Sequence, residues 1–180
     1  MEISDLLKRS KPFNELSVEV LREIGKIAQL VTYEGGKVIY DVGASADSIY
    51  LIISGRIVRM LTPPVSATTQ VKEFKAGDVF GWVSLFQDLP HGLPRRLANT
   101  TCLEEATLMK INSRELEALL DKKEPAQAVM TERFARLIAD EFMMPGSTVS
   151  FIERKGKMVP TFMPSAVVNR ILKNPDTNRS

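Results

Sequence analysis

The sequence predicts a mainly-β fold with flanking helices. Three observations support this prediction: short β-rich runs between Val31 and Val58, glycines that separate these runs, and helical apolar spacing towards the two ends. The runs recur about every ten residues, which favours a sandwich or barrel over alternating βαβ units. A length of 180 residues allows one domain with a real core plus an appendage.

The first predicted helix begins after Ser17, whose hydroxyl can accept a hydrogen bond from a backbone N–H of the first turn. Glu19 suits the positive end of the helix dipole. One apolar face follows at helical spacing: Val20, Leu21, Ile24, Ile27 and Ala28. These residues predict an amphipathic helix that packs on a core.

The central region then changes to strand-like spacing. Gly35-Gly36, Gly43 and Gly55 stand where the chain must turn, and glycine takes a positive φ at no steric cost. Further strands are predicted at Val71–Phe74, Leu97–Cys102 and Ala106–Ile111, with a break at Pro63-Pro64 and a turn at Ala76-Gly77-Asp78.

Two helices are predicted after the last strand. Asn112 with Glu115 forms a capping-box-like start to the first of them. Pro125 fits the first turn of the second, which we expect to run to about Met143 before Pro145-Gly146 ends it.

These boundaries predict one domain over residues 1–143 and a basic, partly ordered tail over residues 144–180. From residue 145 onward the tail carries six basic and two acidic residues. It could contact nucleic acid or an acidic partner. Because the charges are dispersed and do not form a cluster, a solvated appendage is the favoured interpretation.

Composition predicts a cytoplasmic protein without a membrane partner. Hydrophobic residues make up 44% and charged residues 26%, as in ordinary globular proteins. No run approaches the roughly 18 apolar residues of a membrane helix, and the N-terminus lacks the basic start and apolar block of a secretory signal. The single cysteine, Cys102, suits a reducing compartment.

The glycine-punctuated segments resemble a known family. Tyr33–Gly43, Asp47–Gly55 and Ala76–Gly81 are similar to the β-roll of cyclic-nucleotide-binding domains, a double-stranded β-helix of the jelly-roll type. The resemblance covers about residues 10–143. It implies a regulatory, ligand-sensing module and not an enzyme.

In this family a phosphate-binding cassette, made of a short helix and a loop, cradles the ligand. Backbone N–H groups at a helix start favour an anion, and an arginine pairs with the phosphate as a fixed fork. Arg96 matches that arginine, with Arg95 as the neighbouring alternative. The resemblance implies the following ligand-binding residues: Phe80, Gly81, Trp82, Val83, Ser84, Arg95, Arg96 and Leu97.

Two cassette positions depart from the family. A glutamate that binds the ribose hydroxyl normally follows the cassette glycine, and here Trp82 stands there; Leu97 replaces the usual Ser or Thr after the arginine. The segment from Trp82 to Arg96 is also longer than usual, at 14 positions. A lost buried polar contact costs roughly 1–3 kcal/mol, so cyclic AMP or cyclic GMP would bind weakly. Trp82 either stacks on a ligand or, as the favoured interpretation, plugs the pocket.

Three functional hypotheses remain open. The leading one is a regulatory module that binds a cyclic nucleotide or another small anion near Arg96. The second is a ligand-free dimerisation or docking domain with a plugged pocket, and the third is a truncated relative of a transcription regulator.

No cofactor, metal or catalytic site is expected. Some relatives of this fold bind haem, but the only histidine, His91, stands alone in a loop. Metal-dependent enzymes with a β-roll need several convergent ligands, which one histidine cannot supply. No catalytic triad, phosphate loop or dinucleotide motif occurs.

The last predicted helix carries an apolar stripe: Met130, Phe134, Leu137, Ile138 and Phe142. In the transcription-factor branch of the family the matching helix pairs with its twin, so we expect a homodimer through residues 125–143. The alternative is packing on the helix's own β-roll. The 37 residues of 144–180 are about half of what a winged helix-turn-helix needs, so autonomous sequence-specific DNA binding is not expected.

Overall fold

The computed structural model describes residues 2–61, 70–85, 95–96, 98–142, 148–154 and 157–163. Within this part of the chain the helices are α1 (Ile3–Lys8), α2 (Val18–Ile27), α3 (Ser113–Leu120) and α4 (Glu124–Phe142). The strands are β1 (Ala28–Tyr33), β2 (Val38–Tyr40), β3 (Ser48–Ser54), β4 (Arg56–Leu61), β5 (Gln70–Lys75), β6 (Val79–Phe80), β7 (Asn99–Cys102), β8 (Ala106–Asn112), β9 (Thr148–Arg154) and β10 (Lys157–Met163). A 3₁₀ turn spans Trp82–Leu85 and is called the cassette turn below.

The predicted helix starts are confirmed. The Ser17 hydroxyl accepts a hydrogen bond from the Val20 N–H at 3.3 Å, and the Asn112 side chain accepts from the N–H groups of Arg114 and Glu115. Both caps satisfy backbone donors that a helix start leaves without an intrahelical partner. The short helix α1 was not expected from the sequence.

The β-strands up to β8 form two antiparallel four-stranded sheets. The first sheet has the order β1-β8-β3-β6 and the second the order β2-β7-β4-β5. Side chains of both sheets meet in one apolar core, to which Ile52 and Leu108 contribute from the first sheet and Ile57 and Phe74 from the second. The predicted mainly-β architecture with flanking helices is confirmed.

The turn between β3 and β4 shows why glycine is needed in this roll. Gly55 has a φ of +88°, and a Cβ placed on it would lie 2.5 Å from the carbonyl oxygen of Glu105. No other residue type fits so close to the neighbouring backbone.

The chain divides into two compact units, Met1–Met130 and Thr131–Ser180. The second contains an antiparallel hairpin of β9 and β10, in which Lys157 is paired with Arg154. The proposed division at residue 143 stays a prediction. Among the described residues, no helix is both long enough and apolar enough to span a membrane.

Some sequence predictions fall outside the described residues. These are the breaks at Pro63-Pro64 and Pro145-Gly146, the start of a strand at Leu97, and the loop with His91.

Candidate functional site

The candidate cassette begins where β6 ends. Gly81 follows Phe80 with a φ of +82° and leads into the cassette turn. A Cβ on Gly81 would lie 2.9 Å from the Arg96 Nη1 and 3.1 Å from the Ser48 carbonyl oxygen. Glycine is therefore required here both for its backbone conformation and because the Arg96 side chain passes directly over it.

Arg96 is an almost fully buried cation, with 2% of its surface exposed. Its Nη1 donates to the Gly81 carbonyl at 3.0 Å, and its Nη2 donates to the Ser48 carbonyl at 2.9 Å. The Asp47 carboxylate lies 3.7 Å from Nη2 and is 60% exposed. The Nε of Arg96 is buried and has no hydrogen-bond partner among the described residues. The guanidinium thus joins β3 to the cassette while its charge is only loosely balanced.

The flat faces of two tyrosines complete the surroundings of Arg96. Its guanidinium carbon lies 4.2 Å from the ring centroid of Tyr40 and 5.7 Å from that of Tyr50. A cation over an aromatic face is attracted by the ring quadrupole, and more strongly where water is excluded. These contacts stabilise the arginine, but neither supplies a negative charge.

The tyrosines belong to an aromatic cluster inside the roll. Tyr50 stacks on Phe80 with centroids 5.1 Å apart, Phe80 lies 5.7 Å from Phe74, and Tyr40 lies 6.2 Å from Phe80. Burial is the main cause that raises the pKa of Tyr50 to about 12, and the positive charge of Arg96 partly opposes it. The Tyr50 phenol is therefore neutral at physiological pH.

The expected site residues are brought together in part. Arg96 contacts Gly81 directly, and Tyr50 lies between Arg96 and Phe80. Trp82 is buried, with 6% of its surface exposed, and Val83 is half-buried.

Two other expected ligand-binding residues, Ser84 and Arg95, form hydrogen bonds within the protein. The Ser84 hydroxyl is buried, donates to the Gly81 carbonyl at 3.0 Å and shares a hydrogen bond with the Ser113 hydroxyl at the start of α3. Arg95 is exposed and donates to the Gly43 carbonyl at 2.8 Å. Leu97 lies outside the described residues, and ligand binding by all these positions stays a prediction.

Sequence reasoning missed several residues of the same region. Tyr40 covers Arg96, while Arg59 and Lys72 approach the face of Phe74 at 5.4 Å and 5.0 Å. A signal was available in the spacing, because Arg59 is two positions from buried Ile57, and Lys72 is two positions from buried Phe74. Residues two apart in a strand share a face, so both cations could have been placed on the inner side of the roll.

A sequence model described as the cyclic nucleotide-binding domain matches residues 30–123, which include the cassette and Arg96. The chain belongs to this family. The cyclic-nucleotide-binding domain is a regulatory sensing module, and the family is regulatory and not enzymatic. Comparison with functionally curated proteins finds no match.

Solved structures agree on the fold. The N-terminal domain of a transcriptional regulator from Streptomyces coelicolor A3(2) is 22% identical with a TM-score of 0.61, over 77% of this chain and 95% of that one. The sensor domain of the transcriptional regulator DNR from Pseudomonas aeruginosa is 19% identical with a TM-score of 0.62, over 81% and 99%. A cyclic nucleotide-binding domain from Methylobacillus flagellatus KT is 20% identical with a TM-score of 0.63, over 78% and 76%.

Proposed function

We propose that this cyclic-nucleotide-binding domain is a sensor that takes up a small anionic ligand inside the β-roll, at Arg96. The observation that carries the proposal is the incomplete compensation of the buried guanidinium. A charge-assisted hydrogen bond between arginine and a carboxylate is about 2.7–2.9 Å long, whereas Asp47 lies 3.7 Å away and is largely in water.

The remaining contacts of Arg96 do not replace a counter-ion. The Gly81 and Ser48 carbonyls accept two of its five N–H groups, and the Tyr40 and Tyr50 rings carry no net charge. A buried charge is costly unless it is paired and hydrogen-bonded. An anion that accepts the Nε–H would satisfy a donor that no described residue satisfies.

The ligand would be recognised by Arg96 without the ribose contact that is typical of the family. Trp82 occupies the position where the family's glutamate accepts the ribose hydroxyl, and its indole is buried. Selectivity for a cyclic nucleotide over other anions is therefore expected to be low.

A thermal-shift screen with cyclic AMP, cyclic GMP, a cyclic dinucleotide and inorganic phosphate tests this proposal. A ligand that binds the native state stabilises it by about 2.7 kcal/mol at a concentration of 100 times Kd. Arg96→Lys retains the charge but loses the Nε–H and the fork, so the shift should fall to a small fraction. The matched control is Arg95→Lys, which makes the same exchange at the exposed neighbour and should leave the shift unchanged.

Arg96→Ala is a poor probe of binding, because it removes the bonds to Gly81 and Ser48 that hold the cassette to β3.

If no anion shifts the melting temperature, a ligand-free docking domain becomes the better interpretation. The burial of Trp82 favours that second candidate. An equal shift in the wild type and Arg96→Lys would contradict the assignment of Arg96.

A further inference from the structure

The inner face of the second sheet carries two cations besides Arg96. In the strand register Tyr40 is paired with Thr100, Thr100 with Arg59, and Arg59 with Lys72. Paired residues of neighbouring strands project to the same face, so these four residues form one row across β2, β7, β4 and β5. We call it the polar row (Tyr40, Thr100, Arg59 and Lys72).

The polar row lies on the core side of its sheet. Two positions further along β4, β5 and β7 stand Ile57, Phe74 and Cys102, all of which are buried in the apolar core. Along the row Thr100 is buried, Arg59 is half-buried and Lys72 is exposed. The row therefore runs from the interior of the roll to a solvent-exposed position on the edge strand β5, which we call the rim.

The cations of the row and Arg96 lie against one continuous aromatic cluster. The Arg59 guanidinium and the Lys72 ammonium lie 5.4 Å and 5.0 Å from the centroid of Phe74, and Arg96 lies 4.2 Å from that of Tyr40. Phe80 connects these two rings. The positive charges consequently occupy two places along the same wall, one deep and one nearer the rim.

Both guanidinium groups act on the same phenol. Burial raises the pKa of Tyr40, while the approach of Thr100 and the positive charges of Arg96 and Arg59 oppose that rise. Burial lowers the pKa of Arg59. Positive charges that share a partly desolvated wall favour a ligand of opposite sign.

The outer face of the sheet has a different charge pattern. Arg56 and Glu73, which alternate with the inner residues, form an ion pair at 4.0 Å, and Arg56 also contacts Glu104 at 3.3 Å. Acidic and basic groups are thus mixed outside, whereas the two charged members of the polar row, Arg59 and Lys72, are both positive.

We propose that the β-roll accepts a polyanion with at least two separated negative groups, one at Arg96 and one at Arg59 and Lys72. The inference rests on the proposed function, because it needs the Arg96 site to bind an anion. A cyclic mononucleotide has a single negative charge and uses only the first place. Nucleoside diphosphates and triphosphates, or comparable polyphosphates, use both.

Titration calorimetry at fixed salt with cyclic AMP, ADP, ATP and tripolyphosphate tests the proposal, since the three nucleotides keep adenosine constant while the number of anionic groups rises. ADP and ATP should bind at least about tenfold more tightly than cyclic AMP, which corresponds to about 1.4 kcal/mol. A comparison of tripolyphosphate with ATP shows whether the phosphate charges alone give the affinity or the nucleoside also contributes. In both cases, binding that depends on Lys72 supports the inference.

Lys72→Gln should weaken ATP binding about tenfold and leave cyclic AMP binding unchanged. Its matched control is Lys75→Gln, which removes the same charge from an exposed position on the outer side of β5 and should alter neither affinity. Arg59→Gln with Arg56→Gln as control repeats the comparison on β4. Because Lys72 is exposed, its variant is expected to keep the fold.

The inference is overturned if ATP and cyclic AMP bind equally and neither responds to Lys72→Gln, a result that leaves the proposed function intact. If no anion binds the wild type, both proposals are wrong.

Discussion

Gly81→Ala tests how closely the Arg96 side chain packs against the backbone of the candidate cassette. At a φ of +82° an alanine costs roughly 1–2 kcal/mol in the left-handed region. The new Cβ would also lie 2.9 Å from Arg96 Nη1 and 3.2 Å from Tyr50 Cδ2. Overpacking of this kind typically costs a further 1–3 kcal/mol or so, so we expect a total loss of about 2–5 kcal/mol in the free energy of unfolding.

Gly36→Ala is the matched control. Gly36 has nearly the same φ, +81°, and no atom lies within 4 Å of the position of its Cβ. The Gly36→Ala variant should therefore lose only the free energy of unfolding that is due to the strained backbone, roughly 1–2 kcal/mol. The difference between the two variants isolates the contact with Arg96 and its neighbours.

Urea denaturation followed by circular dichroism measures both losses, with the slope m checked for a constant unfolded state. Trp82, the only tryptophan, adjoins Gly81 and gives a second signal from the cassette itself. Equal losses in Gly81→Ala and Gly36→Ala would refute the conclusion that the guanidinium of Arg96 is packed against Gly81.

Three further predictions concern other parts of the chain. The folded-state pKa of Tyr50 is raised to about 12, so the unfolded chain loses the phenol proton at a lower pH than the folded protein does. The contribution of Tyr50 to the free energy of unfolding should therefore be complete below about pH 10 and fall as the pH rises towards 12, which urea titrations at each pH measure. Trp82→Glu, if its melting temperature shows it is folded, should raise the affinity for cyclic AMP about tenfold through a regained ribose contact; calorimetry that shows no gain would mean that Trp82 is not what limits binding. The helix over residues 125–143 should make the protein a homodimer, and a monomer mass in light scattering would contradict this.

The fold could be predicted from the sequence because helix caps and turn glycines are recognised from neighbouring residues alone. Ser17 and Asn112 cap helices through hydrogen bonds to residues two or three positions away. The turns at Gly43 and Gly55 have a positive φ, which glycine adopts more readily than any other residue. The resemblance also led to Gly81 and Arg96, which the structure joins by a hydrogen bond; their role in ligand binding stays a prediction.

What could not be predicted was the direction in which side chains point. The resemblance implies that Arg96 pairs with a ligand anion; the structure adds that Arg96 is buried and donates to the Gly81 and Ser48 carbonyls, because Ser48 lies beside it. That proximity arises from a contact across 48 positions of the chain. Arg59 and Lys72 are hard to predict for a related reason, since Arg and Lys side chains are mostly exposed and the residue type gives no sign of an inner position.

The bonds of Arg96 also affect the order in which this region can form during synthesis. The two carbonyls that it joins precede it by 15 and 48 positions. At roughly 5–20 residues per second, a ribosome needs about 2–10 seconds to proceed from Ser48 to Arg96. During that interval β3 has neither this guanidinium nor its partner strand β8. Non-local contacts of this kind form late because loop closure must come first, so the candidate site is completed only after most of the roll has left the ribosome.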